Sequence, residues 1–468
     1  MKTVLQHITI FVLGFAITPL WANIIRIPAD QPTIQMGINS ASKGDTVVVY
    51  PGTYFENVIF RGKNIVVTSR FYETGDLNFI KTTIINGSQP VHADTSSCVL
   101  IINHEDSTAV LQGFTITGGK GTKWKDEHSI GTYREGGGIL VAFSAPTIRY
   151  NLIINNDASN KAGVTNAGGG GIRAGDGNPR ILNNVINQNK GQYGGSGVVL
   201  NWTGAIMRNN ILTKNSGGHD DGGGALWVNN NGPAPKIIEN NTFADNQLLA
   251  IYLWQGSVTI RNSIIWGNTP TSGSQIGKNS GVVTVSYCDI QGGLSSTGNI
   301  AVDPLFSDSL YHLSNTSLCI DAGDTSSIYN DIENTSSPGN AQLPSQNTLR
   351  NDIGAYGGPG AGELPNFGIP VGVSSSGSFH PSGFRLHQNY PNPFNPTTMI
   401  SYQLPVTSNV SIKVNDVLGR EVATLVNEQK AAGTYSIQWN ASSLPSGAYF
   451  LRLTASDYVD EKKCVLIK

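Results

Sequence analysis

The sequence predicts an all-β protein, a right-handed parallel β-helix solenoid followed by a small β-sandwich. Three observations lead there. Glycine fills 55 of 468 positions while charged residues supply only 13%, a balance that suits turn-rich β architecture better than helices. The middle of the chain repeats one pattern at variable spacing, the mark of a stacked array. The C-terminal stretch alternates apolar and polar residues between turn signals, as short half-buried strands do.

The repeat is seen by superposing GGGILVAFSAPTIRYNLIINN, GGGIRAGDGNPRILNNVINQN, GGSGVVLNWTGAIMRNNILTKN and GGGALWVNNNGPAPKIIENNTFADN. Each has a glycine cluster, a short strand, a turn, and a second apolar strand ending in asparagines. That second strand sets asparagines five residues apart, at Asn151 and Asn156, Asn184 and Asn189, Asn210 and Asn215, Asn241 and Asn246. Ser263 with Asn268, Cys288 with Gly293 and Phe114 with Gly119 keep the same spacing. Constant rungs with variable loops are what a solenoid needs, because each coil must present the same side chains to its neighbours. Asparagine suits such corners: it tolerates left-handed backbone and bonds along a stack. Two short strands and a turn per coil are expected, wound right-handed like other parallel crossovers.

The remaining segments follow in order. Residues 1–22, MKTVLQHITIFVLGFAITPLWA, put Lys2 before an apolar run broken by Pro19, the pattern of a secretory signal peptide and too short a run for a membrane span. No other apolar run reaches membrane length. Residues 23–300 are assigned to the solenoid, opened by an amphipathic cap over residues 33–41, and residues 301–358 to a module that closes its far end. A Gly/Pro/Ser-rich linker is expected over 359–383 and the sandwich over 384–468. Thirty basic and 32 acidic side chains leave a net charge of -2, which offers no bulk attraction to nucleic acid. Cys98, Cys288, Cys319 and Cys464 show no metal-ligand spacing; they are read as small buried residues, with one disulfide as the alternative.

Strand alternation puts Ile139, Val141, Ile172, Ala174, Val198, Leu200, Ala225 and Trp227 inside. Leu140, Arg173, Val199, Leu226 and Tyr252 form one outward row, and Ala142, Gly175, Asn201, Val228 and Trp254 the next, with Asp176, Trp202 and Asn229 at the turn. Rings beside amides and a guanidinium make a sugar platform, since rings offer apolar faces and amides match hydroxyls as donor and acceptor. The candidate substrate-binding residues are therefore Arg173, Asn201, Trp202, Asn229, Tyr252 and Trp254. Catalysis on polysaccharide needs a base with carboxylate-held calcium or a cluster of acidic residues. The rows offer only Arg173 and Asp176 as weak catalytic candidates, joined by His219, Asp220 and Asp221 in the loop GGHDDGGG and by the charged insert GGKGTKWKDEHSIGTYREGGG. No cofactor or metal site is predicted; calcium is the ion that the carboxylates Asp321, Asp324 and Asp352, clustered with Arg350, would accept, although they lack an ordered ligand loop.

Two resemblances sharpen this reading. IIRIPADQPTIQMGINSASKGDTVVVYPGTYFENVIFRGKNIVVTSR resembles the N-terminal signature of pectate-lyase-like β-helix proteins, and DPLF, YHLSNTSLCIDAGD and DIGAYGG resemble a closing module found after such helices in exported bacterial proteins. NYPNPFNPTTMISYQLP, DVLGREVATLV, AAGTYSIQWNASSLPSGAYFLRL and the terminal Lys468 resemble the type A C-terminal sorting domain of the type IX secretion system. That resemblance implies an immunoglobulin-like sandwich read by the outer-membrane translocon after periplasmic transit, with Tyr390, Pro391, Asn392, Pro393, Phe394, Asn395 and Pro396 as the sorting motif. The prolines fix extended backbone at its entry. The expected product is a secreted or outer-membrane-surface protein that binds an extended polysaccharide or cell-surface glycan, or serves as an adhesive scaffold. The alternative is a polysaccharide lyase or glycoside hydrolase acting in the solenoid groove.

Overall fold

The computed structural model describes residues 22–128, 131–192, 194–217, 223–232, 234–343, 348–365, 384–386, 388–389, 392–404, 406–430 and 433–468. The expected signal peptide therefore lies outside the described residues, apart from Ala22. The chain divides into two compact units, residues 1–369 and 370–468.

The first unit is a parallel β-helix of three sheets, with ten, nine and eight strands. Each coil contributes three strands, not the two expected. In one coil these are Ile139–Ala142, Thr147–Arg149 and Leu152–Ile154; in the next they are Ile172–Gly175, Arg180–Leu182 and Val185–Asn187. The second apolar strand of the sequence repeat is cut in two by a corner at the first asparagine. The residue just before it, Tyr150, Asn183, Asn209, Asn240 or Asn262, takes φ of +49° to +56°. The left-handed turn and the ladder are thus separate tasks carried by adjacent residues.

Inside each corner the asparagines form two ladders. Phe114 N–H donates to Asn151 Oδ1 (3.1 Å), Asn151 N–H to Asn184 Oδ1, Asn184 N–H to Asn210 Oδ1 and Asn210 N–H to Asn241 Oδ1, the last three at 3.0 Å. Asn241 N–H then meets Ser263 Oγ at 3.1 Å, and Ser263 N–H meets Cys288 Sγ at 3.4 Å. The second ladder runs from Gly119 N–H through Asn156, Asn189, Asn215 and Asn246 to Asn268 at 3.0 to 3.2 Å. The asparagine amide groups also donate backward, as Asn184 Nδ2 does to Ile148 O at 2.9 Å. Buried backbone donors that the corners take out of the sheets are satisfied in this way.

Between the corners lies the core, one aliphatic set per coil: Ile139, Val141, Ile148 and Ile153, then Ile172, Ala174, Ile181 and Ile186, then Val198, Leu200, Met207 and Leu212. The glycine clusters have a steric cause. A Cβ on Gly137 would sit 2.4 Å from Gly170 O in the next coil, so only glycine allows that approach.

At the open end, the helix Ile34–Ser40 buries Ile34 and Ile38 against the first coil, with Thr33 as N-cap accepting from Met36 N–H at 3.1 Å. That cap covers apolar surface a bare end coil would expose. At the other end the chain turns back along the nine-stranded sheet. Ile353, Ala355, Tyr356 and Leu364 are buried there. The outward-facing partners of the corners hold this returning strap: Asn240 Nδ2 donates to Asp352 O (3.0 Å), Asn209 Nδ2 to Gly357 O (2.7 Å) and Asn183 Nδ2 to Gly360 O (3.0 Å). Within the linker expected over 359–383 the chain stays docked through Leu364, and residues 366–383 lie outside the described residues. All four cysteines are free and buried.

The second unit packs a three-stranded antiparallel sheet against a four-stranded one, around Phe394, Ile400, Tyr402, Ile412, Trp439, Leu451 and Leu453.

Replacing Asn210 by Ala leaves the buried Asn184 N–H without its acceptor and takes the amide donor away from Ile181 O and from Asn241 Oδ1 on the next coil. Such orphaned groups cost about 1–3 kcal/mol each, so Asn210→Ala should lower unfolding free energy by about 3 kcal/mol in urea titration. Asn183→Ala, which removes only one bond to the strap, should cost about 1 kcal/mol.

Candidate functional site

The outer face of the eight-stranded sheet is where the sequence placed its site, and the observed register moves several residues. Val198 pairs with Leu226, Val199 with Trp227 and Asn201 with Asn229; Trp227 then pairs with Tyr252 and Asn229 with Gln255 across a register shift. The outward row is therefore Leu140, Arg173, Val199, Trp227 and Tyr252, and the next is Ala142, Gly175, Asn201, Asn229 and Gln255. Leu226 points inward, buried in the core. The expected placement of Trp227 and Leu226 is reversed because a one-residue slip flips every side chain of a strand. Asn229 sits in the strand row and not at the turn, while Val228 is in the core. Trp254 stands at the register shift, half-buried.

Arg173 does not line an open groove. The charged insert folds into a flap, the hairpin Gly121–Lys125 and Thr132–Glu135 flanked by Thr95–Ser96 and Asn166–Gly168 in a four-stranded sheet. Glu127 and Glu135 descend from it onto the guanidinium. Arg173 Nη2 donates to Glu127 Oε2 at 2.6 Å, Nη1 reaches Glu127 Oε1, and Nε lies 3.0 Å from Glu135 Oε2. The Arg173 side chain is 0% exposed and that of Glu127 1%, so the predicted groove base is sequestered. Trp124 Nε1 also donates to Glu127, at 3.1 Å.

The same flap sends Asp126 to Asn201, whose Nδ2 donates at 3.1 Å, and Asn229 Nδ2 donates to Asn201 Oδ1 at 2.8 Å. His128 stacks on Trp202, ring centroids 4.1 Å apart, and its Nε2 lies 3.1 Å from Asp176 Oδ1. Asp176 and Trp202 occupy equivalent left-handed corners, at φ 45° and 52°. Beside them the Nε1 atoms of Trp202 and Trp227 and the Oδ1 of Asn229 are buried with no hydrogen-bond partner.

Three carboxylates facing one guanidinium cannot all ionise cheaply in so dry a site. Burial pushes Glu135 up to about 7, with Arg173 opposing and Glu127 and Asp126 reinforcing the rise. Burial also pushes Glu127 upward, but the Arg173 hydrogen bonds and charge outweigh it and hold that carboxyl below its ordinary value. Burial works against the charge of Arg173 too, yet Glu135 and Glu127 keep its proton bound more tightly than usual. Glu135 is thus the member of the three that burial pushes furthest toward its protonated form.

The two catalytic candidates among the described residues are both engaged elsewhere. Asp176 is spent on His128, Arg173 is covered, and His219, Asp220 and Asp221 lie outside the described residues. Among the described residues no three His, Cys, Asp or Glu side chains are grouped to hold a metal ion. In the closing module, Asp352 Oδ1 accepts from Asp321 N–H at 2.6 Å, Asp324 lies 3.5 Å from Arg261, and Arg350 donates to Gly323 O at 3.0 Å. Asp321, Asp352 and Arg350 thereby hold the module's own turns together, and Asp324 ties the module to Arg261 on the solenoid strand Ser257–Arg261. Asp126, Glu127 and Glu135 were visible in the sequence only as a charged insert; Trp227 was available from superposing GGSGVVLN on GGGALWVN without a gap.

In the second unit, the entry strap is sewn to the last strand, Tyr458–Leu466. Asn392 Oδ1 accepts from Val465 N–H at 2.7 Å and its Nδ2 donates to Lys463 O at 2.9 Å. Phe394 N–H donates to Val465 O and Phe394 O accepts from Ile467 N–H, both at 2.9 Å, while the Phe394 ring packs 5.2 Å from that of Trp439. Ala441 N–H donates to Pro396 O at 2.8 Å, and Asn395 is exposed. Pro393 follows Asn392 at a cis peptide. Tyr390 and Pro391 fall outside the described residues.

Residues 388–468 match the family described as Secretion system C-terminal sorting domain. The chain is therefore exported, secreted or attached at the cell surface. The match covers the whole stitched region from Gln388 to Lys468, so the motif at 392–396 is a structural part of the sorting domain and not a loose linker. Among solved structures, the chain is similar to the enzymatically active domain of tailspike protein 4 of bacteriophage CBA120, at 13% identity and a TM-score of 0.27. That likeness covers 90% of this chain and 63% of the other, so this chain spans less than two thirds of its length. No curated protein matches the sequence. No helix among the described residues is long and apolar enough to cross a membrane.

Breaking a buried ion pair on one side strands the other charge, typically at about 3–5 kcal/mol. Arg173→Met should destabilise the fold by about that amount in urea titration, and limited proteolysis should cut first within the flap. Arg173→Lys should recover only part of the loss, because an ammonium cannot bridge two carboxylates as a planar fork does.

Proposed function

We propose that this is a cell-surface or secreted glycan-binding protein, delivered across the outer membrane by the type IX system, that holds an extended carbohydrate on the outer face of its eight-stranded sheet without turning it over. The observation that carries the reading is the group of unpartnered polar atoms among rings on consecutive coils: the indole N–H groups of Trp202 and Trp227 and the Asn229 carbonyl oxygen. A buried donor or acceptor left unpaired costs about 1–3 kcal/mol. Because those atoms are buried, a sugar reaches them where the covering side chains move aside; its hydroxyls, which both donate and accept, would then supply the missing partners while the rings and Tyr252 give apolar surface. The Asp126–Asn201–Asn229 chain of hydrogen bonds fixes the amide edge of the platform, which favours binding by reducing what must be ordered when the ligand arrives.

The lyase or hydrolase alternative has less support. Its best base, Arg173, is held by Glu127 and Glu135 under the flap, and Asp176 is paired with His128.

Purified full chain should be retained on an immobilised neutral or uronic-acid polysaccharide. Trp202→Ala and Trp227→Ala should each weaken retention about tenfold, the equivalent of one lost aromatic contact of about 1.4 kcal/mol. Reducing or unsaturated ends released from the polysaccharide would contradict the non-catalytic reading. In cells, removing residues 388–468 should trap the protein in the periplasm; unchanged surface delivery would contradict the route.

A further inference from the structure

The closing module contains a pair of acidic side chains that the glycan-binding face does not use. Asp352 is 1% exposed and Asp331 5%. Asp352 N–H donates to both Asp331 oxygens, at 3.2 and 3.1 Å, and Gly358 N–H donates to Asp331 Oδ1. Asp352 Oδ1 accepts from Asp321 N–H, but its Oδ2 is buried and meets no donor. The bonds from Asp352 N–H to the Asp331 carboxyl set the two buried acids side by side, and with one Asp352 oxygen unmatched such a pair stays this deep only if one of its members keeps a proton.

We propose that a proton shared between Asp331 and Asp352 latches the strap that closes the solenoid, and that its removal in alkaline solution frees the strap from the nine-stranded sheet.

The surrounding charges do not relieve the pair. Arg350 turns its guanidinium to Gly323 O, and Arg261 faces Asp324 and Tyr329. The Asp321 carboxylate takes the Thr348 hydroxyl, and the Glu333 carboxylate takes Gly339 N–H at 2.7 Å. Asn240 and Asn351, both buried, add neutral amides that hold one another and the strap backbone. Burial is accordingly the main force on the pair, followed for Asp352 by the charge of Asp331: Asp352 is pushed up to about 9 and Asp331 to about 7. Both ordinary values are 3.8. Between those limits the docked strap keeps protons that a released strap has lost, so docking takes up protons and weakens as pH rises, levelling off above the folded values. What the latch holds is substantial. Asp331 grips Gly358, and on either side of it in the chain Tyr356 and Leu364 pack with Leu152, Val185, Ile211 and Ala244.

Amide hydrogen exchange on the full chain, corrected for intrinsic rates, reads the docking equilibrium of residues 351–364 directly. The wild type should lose protection there about tenfold per pH unit between about pH 7 and pH 9, the slope of one proton, while the N-terminal coils stay unchanged. Asp352→Asn places a permanent donor where the shared proton sits, so its strap should remain protected with no such slope. Equal slopes in the two proteins, or a flat wild-type profile, would overturn the latch. Recovery of wild-type protection at pH 9 by millimolar calcium would also overturn it, by showing that the pair is a cation site.

Discussion

Everything in the solenoid depends on satisfying backbone donors at corners that have left the sheet and cannot reach water. The chain turns sharply at two inner corners per coil, and at each the next coil's asparagine carbonyl accepts the orphaned N–H while its amide group reaches back to the previous coil. A side chain of this length, with a donor and an acceptor on one planar group, bonds in both directions along the stack. That fixes coil spacing and register together, and register decides which residues face out. The two rows of the outer face, and with them the candidate glycan platform, inherit their alignment from the ladders.

This explains which parts of the fold were legible. The ladder asparagines recur at one spacing because each coil needs them, so Asn151 through Asn246 announce the solenoid even while loop lengths vary. The ends are legible for a similar reason: Ile34 and Ile38 must cover an open coil, and their spacing on a short helix says so. Three things were not legible. The third strand per coil hides because the corner that makes it is a single left-handed residue inside an apolar run, and the asparagines that set it in four coils, Asn183, Asn209, Asn240 and Asn262, read as part of the ladder signal. The outward asparagines of each Asn-Asn pair looked redundant until the returning strap was seen to need them. The burial of Arg173 could not be read from its own strand, because the carboxylates that enclose it come from an insert some forty residues away in sequence whose path no periodicity reveals.

The flap also changes what the outer face can do. A guanidinium held by two carboxylates in a dry site is a positioning device, and the order it creates passes through Asp126 to Asn201 and Asn229 and through His128 to Trp202. One side of the sheet is thereby closed by charge and the other left with rings and unpaired polar atoms. The sorting domain applies the same economy: Asn392 and Phe394 tie its entry to its final strand, so the first and last residues of the export signal form one surface.

The central claim is that the asparagine ladders bind the coils into one cooperative body. Site-resolved hydrogen exchange of the ladder amides, those of Asn184, Asn210 and Asn241 on one line and Asn189, Asn215 and Asn246 on the other, tests it most directly. The account predicts that all six exchange only through global unfolding and share one free energy with core amides such as Ile186. Exchange of individual ladder amides orders of magnitude faster than their core neighbours would contradict it, because the corners would then be opening one coil at a time.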